Sequence, residues 1–196
     1  TRQVQTRYAK TLDHILDTAI VVLEETGWDG FSTNLLAARA GIGIQTLYRY
    51  FPNKLSVVAT LARRLISEWD SWFAGGGMND FRGAGLERFV DRLKNQPGGV
   101  AIRQAMAASP ALRALDREDN RRLALQFAGA LVSRDDQLNL DDTVLAMLVT
   151  IEAAVAVVDL TFDLPTAEAD KLIGLCIEMQ NAFLVNRFPI LAKELS

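Results

Sequence analysis

The sequence is poor in the residues that build covalent and metal-centred sites, with one cysteine and one histidine among 196 residues. Cys176 alone cannot form an internal disulfide. Because His14 is the only imidazole, a zinc site lacks ligands, and no Cys-His or Ser-His-Asp nucleophile can be assembled. We therefore expect no catalytic residue, no metal and no cofactor, and we expect His14 to be solvated on the first helix.

The sequence shown also contains no leader-like segment and no apolar run of membrane length. No cationic segment followed by an apolar signal stretch opens the sequence. The most apolar stretch, Val144 to Val158, is interrupted by Thr150 and Glu152 and is shorter than the roughly 20 residues that cross a bilayer. These features predict a cytoplasmic protein without a membrane span.

Acidic residues are absent from one long window, Phe31 to Ser67, where their overall density would place about 4 or 5. Five cations lie in it, namely Arg39, Arg49, Lys54, Arg63 and Arg64. The whole chain has 21 Lys and Arg against 24 Asp and Glu and a net charge of −3, which is not the balance of a protein that coats nucleic acid. Chance clustering on a solvated face is the alternative unless the window also has a nucleic-acid-binding shape.

The pattern of apolar residues is helical almost throughout, and no segment alternates with period two. The predicted helices are Tyr8 to Thr26, 33–40, Ile44 to Tyr50, Lys54 to Phe73, 86–95, 98–108, 111–134, 141–161 and 166–188. Gly27 is expected to cap the first helix in a left-handed conformation, and Gly75-Gly76-Gly77 is expected to break the fourth. The fold class is therefore all-α, with about nine helices.

The acid-free window coincides with two short helices separated by a glycine-containing turn and braced by a longer preceding helix, which describes a helix-turn-helix. In that motif the second helix enters the DNA major groove. The sequence thus predicts a DNA-binding domain at residues 1–52 and a larger helical domain at residues 53–196. Charge and shape indicate the same partner, double-stranded DNA.

The candidate DNA contacts divide into backbone and base contacts. Thr33 at a helix start, the phenolic groups of Tyr48 and Tyr50, and Lys54 at the next helix N-terminus suit phosphate. Gln45 can make a bidentate contact to adenine, and the methyl groups of Ile44 and Thr46 can contact thymine. Core packing is the alternative for Tyr50, and more strongly for Phe51. The candidate DNA-binding set is Thr33, Ile44, Gln45, Thr46, Tyr48, Arg49, Tyr50 and Lys54.

The order and spacing of these residues resemble the DNA-binding signature of the tetracycline-repressor (TetR) family of bacterial transcription factors. The resemblance covers about 45 residues and includes Phe31-Ser32-Thr33, Leu36-Ala37, Ala40-Gly41-Ile42, the run from Thr46 to Phe51, and Asn53-Lys54. It implies a recognition helix at Ile44 to Tyr50, phosphate contacts from Thr33, Thr46, Tyr48, Tyr50 and Lys54, and packing roles for Phe31, Leu36, Leu47 and Phe51. The chain departs from the family pattern at Gly43, where Ser or Thr usually caps the recognition helix, and at Gln45 and Leu35.

The resemblance also implies a C-terminal domain for ligand binding and dimerisation. Residues 144–158 leave almost no polar face, and a helix that is apolar all round must be buried on all sides. A second subunit is the expected cover, and a central position in a monomeric bundle is the alternative. The candidate interface residues are Leu148, Ile151, Val155, Leu172, Leu175, Met179 and Phe183.

A small and hydrophobic effector is the expected ligand of this domain. Large apolar side chains stand where the long helix ends and the middle helices converge, and aromatic residues line many ligand pockets. The candidate ligand-binding residues are Trp69, Trp72, Phe73, Phe89, Met106 and Phe127, although each of them could simply fill the core.

The predicted function is therefore that of a homodimeric, ligand-responsive regulator, a repressor that binds a palindromic operator and is not an enzyme. An all-helical small-molecule carrier that does not bind DNA and a helical enzyme with an unrecognised site are the alternatives. Loss of DNA affinity on substitution of Tyr48 and Lys54 would distinguish the regulator from both.

Overall fold

A computed structural model describes the backbone of residues 2–81 and 84–194 and the side chains of residues 7–68 and 85–191. In these ranges α-helices and one 3-10 helix account for all of the regular secondary structure, and the predicted all-α class is confirmed. The helices are α1 (Arg2–Gly30), α2 (Thr33–Arg39), α3 (Ile44–Tyr50), α4 (Lys54–Phe81), α5 (Ala84–Asn95), α6 (Gly99–Ala108), α7 (Pro110–Val132), α8 (Leu140–Thr161) and α9 (Thr166–Arg187), with a 3-10 helix at Pro189–Glu194.

Glycine has different effects in the two helices where it was expected to act. Gly27 has φ 64° and ψ −178° and kinks α1, after which the helix continues to Gly30. The prediction that Gly75-Gly76-Gly77 breaks α4 was wrong, because α4 runs on to Phe81. Glycine costs about 1 kcal/mol per residue in a helix interior but does not forbid helical φ and ψ, and extending a helix that has already formed needs no new nucleus.

The chain forms two compact units. The first comprises residues 1–68 and 95–115, and the second comprises residues 69–94 and 116–196. The first unit thus adds the start of α4 and all of α6 to the predicted DNA-binding domain of residues 1–52. These units are defined by packing, whereas the boundary predicted at residue 52 follows the end of the helix-turn-helix motif. That boundary stays a prediction.

In the first unit α1 is the central helix and packs against α2 and α6. Its inward face, which includes Ile15, Leu16 and Leu23, is fully buried. The backbone N–H of Gly98, just before α6, donates to Oε1 of Glu24 at 2.7 Å. A carboxylate from α1 therefore caps α6, whose own N-cap residue has no side chain to do so.

In the second unit, a buried apolar cluster joins α7, α8, α9 and the 3-10 helix. Phe127, Met147, Ile151, Leu184 and Phe188 are among its members. Buried polar groups next to this cluster are hydrogen-bonded, since Nε2 of Gln180 donates to the Thr150 carbonyl oxygen at 2.9 Å. This bond ties α9 to α8.

Helix α8 is longer than the apolar run on which the expectation of no membrane span rested. It has 22 residues and a mean hydropathy of 2.1 in its most apolar window, so that by length and composition alone it could cross a membrane. The core helix of a bundle meets the same criterion, and 39% of that window is buried inside the protein. Length and composition therefore do not place this helix in a membrane.

Candidate nucleic-acid interface

The turn between α2 and α3 is fixed by backbone hydrogen bonds. Oγ of Ser32 accepts the N–H of Leu35 at 3.2 Å and caps the start of α2. At its end the N–H groups of Gly41 and Ile42 donate to the carbonyl oxygens of Ala38 and Ala37, and Gly41 has φ 64°. This pair of bonds around a left-handed glycine is the Schellman motif, which ends a helix and redirects the chain at once.

Helix α3 presents one face to solvent and one to the core. Leu47 is fully buried, whereas Gln45, Tyr48 and Arg49 are exposed and share one face at i, i+3 and i+4 spacing. Ile44, Thr46 and Tyr50 are half-buried at its edges. Three polar side chains thus face outward from a helix whose buried residue is Leu47.

Phe31, Leu36, Leu47 and Phe51 are all buried, in agreement with the packing roles implied for them. Gly43 begins α3 with φ −66° and ψ 142° and provides no side-chain cap. In its place the Gly43 carbonyl oxygen accepts the N–H of Thr46 at 2.8 Å. The residues that carry the resemblance therefore form the core of the helix-turn-helix and leave its outer face to other side chains.

Hydrogen bonding and stacking fix three of the residues that are predicted to contact phosphate, namely Thr33, Tyr48 and Tyr50. Oγ1 of Thr33 lies 3.3 Å from the phenolic oxygen of Tyr48, so α2 and α3 are linked across their exposed side. The ring of Tyr50 stacks on that of Tyr8 of α1, with centroids 4.6 Å apart. Sequence reasoning assigned no role to Tyr8, because no local pattern connects it to a residue 42 positions away.

Trp28, which precedes the helix-turn-helix, holds Lys54 at the start of α4. Its Nζ donates to the Trp28 carbonyl oxygen at 3.0 Å and lies 4.2 Å from the centroid of the Trp28 ring. An ammonium group has three donors, so the remaining N–H groups of Lys54 stay available for an anion. Trp28 thereby restricts the rotamers of a side chain predicted to bind phosphate.

Acidic residues from outside the acid-free window form ion pairs with two of its cations. Glu25 of α1 makes a two-pronged ion pair with Arg39, at 2.6 and 3.2 Å, and this hydrogen-bonded pairing raises the pKa of Arg39. Asp13 pairs with Arg64 at 2.9 Å. Among the described residues, Arg49 has no acidic partner and lies on the exposed face of α3. The positive charge of the window is therefore partly neutralised, while the positive charge of Arg49 on α3 is retained.

His14 is exposed, as the sequence predicts, but it also makes a hydrogen bond that the sequence does not reveal. Its Nε2 lies 3.0 Å from the carbonyl oxygen of Ala40, where only a donating Nε2–H can form the bond. Ala40 is the C-cap residue of α2, so His14 fastens the turn of the motif to α1. A single polar residue on a helix has no sequence signal that could reveal such a contact 26 positions away.

The candidate ligand-binding residues fall in both units. Phe89 and Phe127 are buried in the second unit, whereas Met106 is buried in the first. Trp69, Trp72 and Phe73 belong to α4, but their side chains lie outside the described residues. These six positions stay a prediction.

The candidate dimer residues fall into three groups by burial. Leu175, Met179 and Phe183 of α9 are exposed at 53%, 52% and 39%, and they lie on one stripe. Leu148, Val155 and Leu172 are half-buried. Ile151 is only 5% exposed and belongs to the apolar cluster of its own unit, because it lies on the inward face of α8.

Two family models match the chain. The model described as "Bacterial regulatory proteins, tetR family" matches residues 15–61, which contain α2, α3 and the turn between them. The model described as "Tetracyclin repressor-like, C-terminal domain" matches residues 77–188, more than half of the chain.

The chain is similar in sequence and in structure to known transcriptional regulators. The chain is 29% identical over 106 residues to the HTH-type transcriptional repressor KstR of Rhodococcus jostii (strain RHA1), a match that spans 53% of this chain and only 40% of the repressor. A TetR-family transcriptional regulator from Streptomyces coelicolor is 27% identical, with 91% of this chain and 99% of that chain covered and a TM-score of 0.65. A TetR-like transcriptional regulator from Rhodococcus sp. RHA1, 20% identical over 89% of this chain and 96% of its own, shares the fold with a TM-score of 0.61. The chain belongs to the TetR family of bacterial regulatory proteins.

Proposed function

We propose that this chain is a cytoplasmic transcriptional repressor that binds a palindromic DNA operator as a homodimer and is released by a small hydrophobic effector. The observation that carries the DNA-binding part is the exposed face of α3. There Gln45, Tyr48 and Arg49 project from a helix whose inner side is anchored by Leu47. No catalytic step is part of the proposal.

In the proposed complex α3 lies in the major groove and α2 crosses the phosphate backbone. Thr33, Tyr48, Tyr50 and Lys54 contact phosphate, which positions the helix without reading sequence. Gln45 reads a base, since its amide can pair in two places with adenine. The two-fold symmetry of a dimer then requires two half-sites about 34–36 Å apart.

Selection of bound duplexes from a random pool by the purified chain tests the proposal directly. We expect a palindrome whose half-sites are about 10 base pairs apart, centre to centre. If no sequence is enriched after repeated rounds of selection, the proposal that this chain recognises DNA is refuted.

The backbone contacts are tested by Tyr48→Phe combined with Lys54→Ala. This variant should bind every duplex more weakly and show a shallower dependence of log K on log salt, by about 0.9 for each phosphate that is no longer neutralised. Lys94→Ala is a suitable control, because Lys94 is exposed on α5 and outside the motif. Unchanged binding by the double variant would refute these assignments.

The base contact is tested separately by Gln45→Ala. It should weaken discrimination at one base pair by about 1–3 kcal/mol and spare non-specific binding. Gln104→Ala, at an exposed glutamine of α6, is the matched control. If discrimination at every position is retained, Gln45 does not read a base.

A second copy of the chain is the proposed cover for an exposed apolar stripe on α8 and α9. The stripe consists of Leu145 and Val149 of α8, exposed at 57% and 61%, together with Leu175, Met179 and Phe183 of α9. Exposed apolar side chains of this kind mark association sites, and α8 and α9 pack against each other within the second unit. Ile151 is not part of the proposed contact surface.

Val149→Glu and Met179→Glu place charges on this stripe and should convert the dimer to a monomer, as measured by light scattering after size-exclusion chromatography. Leu125→Glu is the control, because Leu125 is 52% exposed on α7 and lies off the stripe. A dimer that survives both stripe substitutions would assign the interface elsewhere.

The effector is proposed from the family resemblance and from the candidate apolar residues, of which Phe89 and Phe127 are buried in the second unit. A ligand that binds only the folded state raises stability by about 2.7 kcal/mol at one hundred times its Kd. A thermal-shift screen with hydrophobic compounds, followed by operator release with each hit, tests this part. A screen in which stabilising compounds never release DNA would contradict the proposed coupling.

A further inference from the structure

Two exposed side chains of α3 point away from its buried residue. Successive residues of an α-helix are about 100° apart around its axis, so Gln45 and Arg49 each lie about 160° from Leu47. The burial agrees with this placement, because Leu47 is fully buried whereas Gln45 and Arg49 are exposed. Only about 40° separates these two side chains, so together they form the outward edge of α3.

Tyr48 lies to one side of this outward edge, on the flank of α3 that faces α2. It is about 100° from Leu47 around the helix. Its phenolic oxygen is 3.3 Å from Oγ1 of Thr33, the first residue of α2. In a helix-turn-helix the first helix crosses the phosphate backbone while the second lies in the major groove. The flank with Tyr48 therefore faces phosphates, and the outward edge faces the bases at the floor of the groove.

The guanidinium group of Arg49 is not engaged by a carboxylate. Glu25 pairs with Arg39 and Asp13 pairs with Arg64, whereas Arg49 has no acidic partner among the described residues. Helix α3 itself contains no Asp or Glu. A guanidinium group has only N–H donors, and two of them are parallel and match two neighbouring acceptors. Arg49 thus offers a pair of donors on the edge of α3 that faces the bases.

We infer that Arg49 reads a guanine, through two hydrogen bonds to O6 and N7 in the major groove. Guanine presents two acceptors at this edge, whereas adenine presents one acceptor and one N–H donor. Two parallel donors therefore fit guanine and leave the donor of adenine without a partner. This inference rests on the proposed function and adds a second base to the one assigned to Gln45.

The spacing of the two residues sets the spacing of the two bases. Gln45 and Arg49 are four residues apart, which is about 6 Å along the helix axis. Base pairs follow one another at about 3.4 Å along a duplex. The guanine should therefore lie within about two base pairs of the adenine read by Gln45, once in each half-site of the palindrome.

The experiment measures the Kd of the full chain by fluorescence anisotropy for a duplex that the wild-type protein has selected from a random pool. Each guanine of one half-site is changed in turn, first by replacing G·C with A·T. In a second series it is replaced by 7-deazaguanine, which has C–H in place of N7 and keeps Watson–Crick pairing. At the guanine contacted by Arg49 the wild type should lose about 5- to 150-fold in affinity with A·T, and should also bind the 7-deazaguanine duplex more weakly.

Arg49→Ala should bind the unaltered duplex more weakly and should no longer distinguish it from either altered duplex by more than about twofold, because residue and base then form a coupled pair. Arg49→Lys should keep the preference for guanine, since an ammonium group also donates to O6 and N7. Arg39→Ala is the matched control. Arg39 lies in the same motif, but its guanidinium group is engaged by Glu25, so this variant should retain the wild-type discrimination.

The outcomes separate this inference from the proposed function. If Arg49→Ala weakens every duplex by the same factor, Arg49 contacts phosphate and the inference is overturned, while the regulator function stands. Unchanged binding by Arg49→Ala, or a loss of discrimination at a base other than guanine, also overturns it. So does the same loss of discrimination in Arg39→Ala, because the effect would then not report a contact of Arg49. If the wild type selects no duplex at all, the proposed function itself fails.

Discussion

Gly98 occupies a position between α1 and α6 that a side chain cannot enter without strain, and the substitution Gly98→Ala tests this packing. Its φ is 72°, in the left-handed region that favours glycine. A Cβ at this position would lie 2.8 Å from Cγ2 of Ile20 and 3.3 Å from Cδ1 of Ile102. Ile20 lies within helix α1, where a β-branched side chain has one strongly preferred rotamer, so it cannot easily turn away.

The expected cost has two components. The left-handed conformation costs an alanine about 1–2 kcal/mol, and forcing a methyl group into occupied space costs about 1–3 kcal/mol. The smaller conformational freedom of alanine in the unfolded chain offsets about 0.4–1 kcal/mol. Gly98→Ala should therefore lower the free energy of unfolding by about 2–4 kcal/mol. Any shift that also breaks the Gly98 bond to Glu24 would add to this loss.

Urea unfolding followed by circular dichroism, at one fixed protein concentration, measures the effect against two matched glycines. Gly41 has φ 64° but nothing within 4 Å of an added Cβ, so Gly41→Ala carries the backbone cost alone, about 1 kcal/mol after the same offset. Gly129 lies on the exposed face of α7 with open space around it. Gly129→Ala should stabilise the chain by about 0.5–1 kcal/mol.

The free energies of unfolding of the three alanine variants, compared with one another, test this account of the packing around Gly98. If Gly98→Ala costs no more than Gly41→Ala, then the close approach of Ile20 has no energetic weight, and the account of the contact between α1 and α6 is wrong. A loss at Gly129 similar to that at Gly98 would show that alanine destabilises this chain for a reason unrelated to φ or packing.

Three further predictions concern single groups. Gly43→Ser should add the missing cap of α3 and raise Tm by the equivalent of a few tenths of a kcal/mol, and a lower Tm in calorimetry would contradict it. His14→Ala removes the bond to Ala40 and should cost about 1 kcal/mol in urea unfolding; an unchanged midpoint would show that this bond contributes nothing. Burial raises the pKa of the Cys176 thiol, so stability should decline as pH rises through the ordinary thiol range, and a disulfide reagent at pH 8 should label the folded chain far more slowly than the unfolded one. Rapid labelling of the folded chain would refute that burial.

Local rules were sufficient for most helix boundaries. Ser32 caps α2 and Gly41 ends it through bonds among neighbouring residues, and α3 spans Ile44–Tyr50 as predicted. Such signals depend on a residue and its next four neighbours, which a sequence displays directly. The glycines at 75–77 mislead because helix formation is cooperative, so a weak local preference there does not decide the length of α4.

The residues of the candidate sites could be predicted from the sequence only in part. The family resemblance implies a packing role for Leu47, which is buried, while Gln45, chosen for the chemistry of its amide, is exposed on the same helix. The sequence misplaces Ile151, because a helix that is apolar all round gives no sign of which side faces its own core.

The sequence by itself determined the all-α class, the helix-turn-helix and the cationic character of its surface, because these follow from composition and from residues close together in the chain. Only the tertiary structure decided which charges remain, since Glu25 reaches Arg39 and Asp13 reaches Arg64 from 14 and 51 positions away. The same holds for the stack of Tyr8 on Tyr50. Where helices cross is set by the packing of whole faces, and no spacing along the chain encodes which exposed side chains that crossing brings together.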